Sequence, residues 1–249
     1  MTILLAIFAG LLGLVVGSFL NVCIYRLPRQ ESVTWPGSRC TACDRPLAWY
    51  ENIPLVSWLA LRGRCRTCRV PISPVYPAVE AITGAIFVAG FFIYGPTPLL
   101  AARLLFAAAM IVLFFIDLRH HILPNAITLP GIAIGFALSF VLPPGWIASL
   151  IGLIAGGGVL LLIAEAYRRW RGVEGLGMGD VKMLAMIGAF LGWQLMLVTL
   201  VLASFAGSLL GLALIASGRG SMKLALPFGT FLAVGALAAA VAGEPLLAW

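Results

Sequence analysis

Charge is missing from most of this sequence, and it is missing in long unbroken runs. No Asp, Glu, Lys or Arg occurs in 1–25, 81–102, 104–116, 122–164, 183–218 or 224–243. Inside a bilayer every backbone polar group must be bonded within the protein, so a run of about 20 apolar residues crosses as a helix. The run 122–164 is long enough for two such helices, with Pro143-Pro144-Gly145 as the turn between them. The run 183–218 divides near Gly192-Trp193-Gln194, and its first half is short. The pattern predicts an all-α polytopic membrane protein with about eight segments, near 2–24, 78–95, 98–117, 123–142, 146–167, 180–193, 195–216 and 226–247. Six segments plus a short or re-entrant pair is the variant of this reading. Composition agrees: 62% of residues are hydrophobic and 10% charged, against about 25% charged in soluble domains. A soluble globular enzyme and a disordered chain are both excluded. The N-terminus lacks the basic stretch that precedes the apolar run of a cleavable signal peptide, so 1–25 is expected to remain as the first span.

The net charge of +7 reads as membrane topology rather than as nucleic-acid binding. With the segments above, one set of loops comprises 26–77, 118–122, 168–179 and 217–225. These loops, with Lys182 at the adjoining helix end, hold fifteen of the sixteen Lys and Arg residues, and only Arg103 lies near the other side. Positive residues stay in the cytoplasm, so this set is expected there, with both termini outside. Trp146, Trp170, Trp193 and Trp249 fall near segment ends, where tryptophan commonly sits at the headgroups.

Three parts follow: a first transmembrane helix (1–25), a cytoplasmic loop (26–77) and a transmembrane core (78–249). The loop carries eight cations and seven of the fifteen prolines. In it, Cys40-Thr41-Ala42-Cys43 is followed after twenty-one residues by Cys65-Arg66-Thr67-Cys68. Two C-x-x-C knuckles at about this spacing form a tetrahedral zinc site. Disulfides are disfavoured in a reducing compartment, and a redox C-x-x-C needs only one pair. Four thiolates leave no open coordination position, so the expected zinc at Cys40, Cys43, Cys65 and Cys68 is structural. Nearby arginines would offset its negative charge. Cys23, at a helix end, is expected to be a packing residue.

Two acids stand out. Asp117 ends the third apolar run, in Phe115-Ile116-Asp117-Leu118-Arg119-His120-His121. Asp180 opens the sixth, in Gly177-Met178-Gly179-Asp180-Val181-Lys182. The topology puts both at the same face of the membrane. Ionisable side chains at that depth are costly and usually functional. Two carboxyls held close tend to share one proton, so one serves as base and the other as acid. That is aspartic-protease chemistry. Gly177 and Gly179 would let the backbone leave helical geometry beside the acid. The competing reading is interfacial ion pairing, of Asp117 with Arg119 or His120 and of Asp180 with Lys182. Glu80 and Glu165 occupy similar positions, so spacing alone leaves both readings open.

At these residues the chain resembles the bacterial prepilin peptidases, the type IV leader peptidase family. Gly177-Met178-Gly179-Asp180 followed by Lys182 is similar to the family's GxGD-x-K signature, and Asp117-Leu118 with Leu123-Pro124-Asn125 to its first aspartate motif. Gly17-Ser18-Phe19-Leu20-Asn21-Val22, Tyr25-Arg26-Leu27-Pro28, Asn52-Ile53-Pro54-Leu55-Val56-Ser57-Trp58, Tyr76-Pro77 and Pro227-Phe228-Gly229 resemble further blocks, in order along nearly the whole chain. Thr230 departs from the pattern, which has a second proline after Phe-Gly. A local turn is put in question, and no catalytic position is expected to be touched.

The resemblance implies an intramembrane aspartyl endopeptidase of the bacterial cytoplasmic membrane, with Asp117 and Asp180 catalytic. Its substrates would be type IV prepilins or type II secretion pseudopilins, cut after a glycine at the cytoplasmic face. It also implies N-methylation of the new terminus from S-adenosylmethionine in many members. Partners are then the pilin substrates and the lipid bilayer, with no nucleic acid. The substrate leader is basic, so Glu51, Glu80 or Glu174 is expected to receive it. A transporter using the two aspartates as a proton relay is the alternative. It would be expected to show internal repeats, and the halves show no convincing similarity. A scaffold presenting a zinc ribbon would leave the glycine turn unexplained.

Overall fold

The structure, a computed structural model, describes residues 1–171, 177–218 and 226–247. Glu174 and Trp249, named above, lie outside the described residues, as do 172–176 and 219–225 of the expected loops. The helices are α1 (Thr2–Arg26), a short α2 (Val56–Ala60), α3 (Val75–Tyr94), α4 (Pro98–His120), α5 (Asn125–Leu138), α6 (Trp146–Arg171), α7 (Met178–Ala216) and α8 (Phe228–Leu247). Among the described residues there is no strand, only two isolated bridges. Five of the helices are long and apolar enough to cross a membrane, while α5 and the described part of α8 are shorter apolar helices. The all-α polytopic expectation holds. The chain packs as two compact units, Met1–Val112 and Leu113–Trp249.

In the first unit α1 packs on α3. Small residues allow it. A Cβ on Gly17 would come within 2.7 Å of the Glu80 Cα, and one on Gly13 within 2.8 Å of the Gly84 Cα. Without a hydrophobic force between helices in lipid, such close backbone approach is a main source of helix association. Asn21 adds a polar tie, its Nδ2 donating to the Tyr76 carbonyl at 3.0 Å. Arg26 turns back into the loop and donates to the Ser32 and Gly37 carbonyls. Its buried charge thus organises the loop that follows.

The second unit is built around the first half of α7. Every residue from Met183 to Gly192 is buried, which is the mark of a helix enclosed on all sides. Two glycine pairs at four-residue spacing clasp it. A Cβ on Gly131 or Gly135 of α5 would strike Met186 or Phe190, and one on Gly152 or Gly156 of α6 would meet the carbonyl oxygens of Gly188 and Leu184 at 2.5 and 2.7 Å. The Ser149 hydroxyl donates to the Ala189 carbonyl at 2.7 Å across the same α6–α7 contact.

The sixth and seventh expected segments are the two halves of α7, which break at Gly192. Gly192 has φ 80° and ψ 172°, a conformation open to glycine and strained for other residues. The break lies where the sequence placed it. Gly192 abuts Pro144, with a would-be Cβ 3.0 Å from the Pro144 ring. Both turns therefore lie at one end of this unit, as alternating loops require. Beyond Gly192, α7 packs on α8, where a Cβ on Gly235 would come 3.0 Å from the Thr199 carbonyl.

Gly152→Leu should break the α6–α7 contact, because the obstacle is backbone and cannot move aside. Overpacking of this kind costs about 1–3 kcal/mol or more, which lowers the midpoint of a chain this size by about 5–10 °C. Gly158→Leu, whose Cβ meets nothing within 4 Å, should leave the midpoint of the detergent-solubilised protein within about 2 °C of the parent.

Candidate active site and four-cysteine cluster

Asp117 sits in the last turn of α4 and is 5% exposed. Asp180 sits in the first turn of α7 and is half-buried. Although the two acids are sixty-three positions apart in sequence, the helix ends that carry them meet around Leu123. Leu123 is the pivot of their convergence. A Cβ on Gly179 would lie 2.9 Å from Leu123 Cβ, and one on Gly229 would lie 2.9 Å from Leu123 Cδ1 and 3.0 Å from Asp117 Oδ2. Three helix ends thus crowd onto one leucine because two of them carry no side chain there. Gly179 lies inside α7 and Gly177 caps it at φ −74°, so neither uses a left-handed conformation. Their expected role as points of backbone freedom gives way, for Gly179, to close approach.

Each aspartate has local anchors. Asp180 is the third helical residue of α7, and its N–H donates to the Gly177 carbonyl at the cap at 3.1 Å. Asp117 is held by Thr230 in the first turn of α8. Both the backbone N–H and the hydroxyl of Thr230 donate to Oδ2, at 2.7 and 3.1 Å. Thr230, expected to touch no catalytic position, donates twice to Asp117. The signal was present in the sequence as a departure from the resembled pattern, but its meaning needed the fold. Lys182 donates to Asn125 Oδ1 at 2.9 Å and so braces the start of α7 against the start of α5.

The ion-pair reading fails on the same geometry. Among the described residues the ion pairs are Arg39–Asp44, Arg45–Glu51, and Glu165 with Arg168 and Arg169. None joins Asp117 to Arg119 or His120, or Asp180 to Lys182. The rival acids are committed elsewhere. Glu165 is taken by its two arginines. Glu80 is buried and accepts the Leu55 N–H at 2.8 Å. Glu51 is buried, takes a two-pronged hold from Arg45 at 2.7 and 3.0 Å, and accepts the Ala48 N–H at 2.9 Å. Glu51 and Glu80 are therefore structural ties of the first unit and not open receptors for a basic peptide, which corrects that expectation.

The four cysteines of the loop converge as their spacing implied. Their sulfurs all lie within 4.8 Å of one another, and such a cluster could hold a metal ion. The Cys40 and Cys68 sulfurs are 3.8 Å apart, close to the edge of about 3.8 Å that four Zn–S bonds of about 2.3 Å require. The two knuckles are copies offset by twenty-five residues. Cys40 N–H donates to the Arg45 carbonyl as Cys65 N–H does to Val70, both at 2.9 Å, and Asp44 and Arg69 N–H groups return to the Cys40 and Cys65 carbonyls. Arg39 bridges Pro46 as Arg64 bridges Pro71, and Asp44 and Arg69 share a positive φ. N–H groups of Cys68 and Thr67 hold the Cys65 thiol down to about 6. The Arg45 guanidinium, two residues beyond Cys43, grips Glu51 at 2.7 and 3.0 Å.

Comparison with known proteins follows the same division. The description Bacterial Peptidase A24 N-terminal domain matches residues 11–94, which contain the cysteines. The description Type IV leader peptidase family matches residues 104–212, which contain both aspartates. The chain is 48% identical over 220 residues to a prepilin leader peptidase/N-methyltransferase of Myxococcus xanthus, covering 87% of this chain and 65% of that relative. Proteins of the same description from Burkholderia pseudomallei and Aeromonas hydrophila are each 37% identical over 96% of this chain and 85% and 91% of their own lengths. No solved structure matches the chain significantly.

Arg45 holds the Glu51 carboxyl below the ordinary carboxylate range, with the Ala48 N–H assisting. A depressed folded value stabilises above the unfolded value of about 4.3, and that stabilisation is lost as pH falls through the folded one. Glu51→Gln should therefore speed hydrogen exchange in peptides from 40–72 several-fold at pH 7. The gap to the parent, corrected for intrinsic rates, should begin to narrow as pH falls through about 4.3 and close only below the depressed folded value.

Proposed function

The chain belongs to the type IV leader peptidase family, and from that premise we propose that it is a prepilin peptidase using Asp117 and Asp180 as its catalytic pair. The observation that carries the reading is that the helix ends bearing Asp117 and Asp180 pack together on Leu123, whereas among the described residues Glu51, Glu80 and Glu165 are held by other partners. The chain spans 65% of its Myxococcus relative, so substrate and activity enter here by the relatives' names. No relative's name supports the transporter alternative.

The chemistry follows from a shared proton. The ionised carboxylate takes a proton from water as the water oxygen adds to the scissile carbonyl carbon. The protonated partner gives its proton to the carbonyl oxygen. When the tetrahedral intermediate collapses, the C–N bond breaks, the proton taken from water passes to the leaving nitrogen, and the second carboxyl regains its own. The pair ends as it began. Helix ends suit this work, because irregular backbone and water are tolerated at membrane depth only where they line a protein cavity.

The protein is a multi-pass protein of the inner membrane. The cation distribution supports a cytoplasmic position for the loop and for both aspartates. That is the side where the basic leader of a prepilin or pseudopilin would present itself. The relatives' names support a second activity, N-methylation of the new terminus, with S-adenosylmethionine as donor. The cysteine cluster is proposed to hold one structural zinc on Cys40, Cys43, Cys65 and Cys68, because four thiolates at tetrahedral spacing match that ion.

Purified protein incubated with a prepilin in detergent should yield a product lighter by the leader, read by mass spectrometry. Asp117→Asn and Asp180→Asn should each lower cleavage at least about a thousandfold, and the double variant should lose little more, because the two act as a unit. Robust cleavage by a folded Asp180→Asn protein would remove that residue from the chemistry.

Metal analysis of the intact protein should give about one zinc per chain, falling in any of the four Cys→Ser variants. Chelation should open the 26–77 loop to limited proteolysis, since a structural site contributes directly to folding. Four alkylatable thiols in a metal-free, protected loop would refute the assignment.

A further inference from the structure

The first turn of α8 is an unforeseen part of the site. Two donors of one residue, the Thr230 N–H and hydroxyl, meet the same oxygen of Asp117. Gly229, just before it, lets the helix come so near that a Cβ would stand 3.0 Å from that oxygen. Thr230 is itself buried, at 7% exposure. The arrangement is more specific than general solvation of a buried acid. A carboxylate offers about four lone-pair sites on its two oxygens, and Thr230 occupies Oδ2 twice.

We propose that Thr230 is a positioning residue that clamps Oδ2 of Asp117 and so presents Oδ1 as the oxygen that works on water. This deepens the peptidase reading and rests on it. A carboxyl group attached by one bond to Cβ is free to rotate, and its torsion is broad when nothing holds it. Two bonds to one oxygen remove that freedom and distinguish the two oxygens. The N–H is fixed by the α8 backbone and sets the direction. The hydroxyl can be removed separately, because it belongs to the side chain.

Bonds to an ionised group are among the stronger hydrogen bonds, but the N–H remains when only the hydroxyl is lost. The expected cost of Thr230→Val is therefore about tenfold to a hundredfold in kcat. KM for the prepilin should change by less than about twofold, because Thr230 acts through Asp117 and not on the peptide. Thr230→Ser, which restores the hydroxyl without the methyl, should return kcat to within about threefold of the parent. Thr230→Ala removes the hydroxyl with less bulk and is read in place of the valine variant if that one does not fold, as judged by its thermal midpoint. A folded valine or alanine variant with parental kcat overturns the clamp. So does a loss that serine fails to restore, or one that appears in KM instead. Asp117→Asn is run beside them. If it is inactive while Thr230→Val is fully active, the clamp alone fails; if Asp117→Asn cleaves at the parental rate, the catalytic-pair reading fails with it.

Discussion

A carboxylate at the end of a membrane helix is costly unless donors come to meet it, and most of the second unit can be understood as the means of bringing them. Asp117 obtains its donors from α8, a hundred and thirteen residues further on. That contact requires Gly229 to pass close over Leu123 and Asp117, and Gly179 to pass close on the other side of Leu123. The first half of α7 is also closely packed, the glycines of α6 admitting its backbone and those of α5 admitting the Met186 and Phe190 side chains. Removing side chains at these points costs little in lipid, where association depends on close packing more than on apolar area. The glycine content of the chain is thus concentrated where helices must nearly touch.

The first unit solves the same problem in a polar setting. Arg26, Glu51 and Glu80 are buried charges, and each has found backbone partners or an opposite charge. They fasten a loop that has very little regular structure of its own. The duplicated knuckle then provides the remaining order, with each half closing a turn through the same pair of backbone bonds. Because the halves are alike, the four sulfurs converge without either half needing the apolar core that a soluble domain of this size would require.

How much of this could be read from the sequence depended on whether the signal was local. Helix number and rough limits were legible because charge-free runs obey a length rule. The cysteine cluster was legible because a knuckle is four residues long and its doubling leaves few alternatives. Asp117 and Asp180 were legible as a pair only through topology and resemblance; spacing gave equal support to ion pairs with Arg119 and Lys182. Three things were not legible. Glu51 and Glu80 looked like surface acids, since nothing local shows that Arg45 folds onto one and the Leu55 amide onto the other. Gly179 looked like a flexible point, since the neighbour it makes room for, Leu123, lies over fifty residues away. Thr230 looked like a harmless exception, since its partner is on another helix. Each depends on a contact between distant segments, which no window along the chain can see.

The buried half of α7 before Gly192 contains fourteen residues, and α5 also contains fourteen. At 1.5 Å per residue each is about 21 Å long, against a hydrocarbon core of about 30 Å. The start of α7 is enclosed by its neighbours, but α5 leaves Leu129 and Ile134 exposed. A bilayer meets so short a helix by thinning, at a cost of fractions of a kcal/mol per ångström, so it would be thinner along α5 than beside the twenty-six residues of α6.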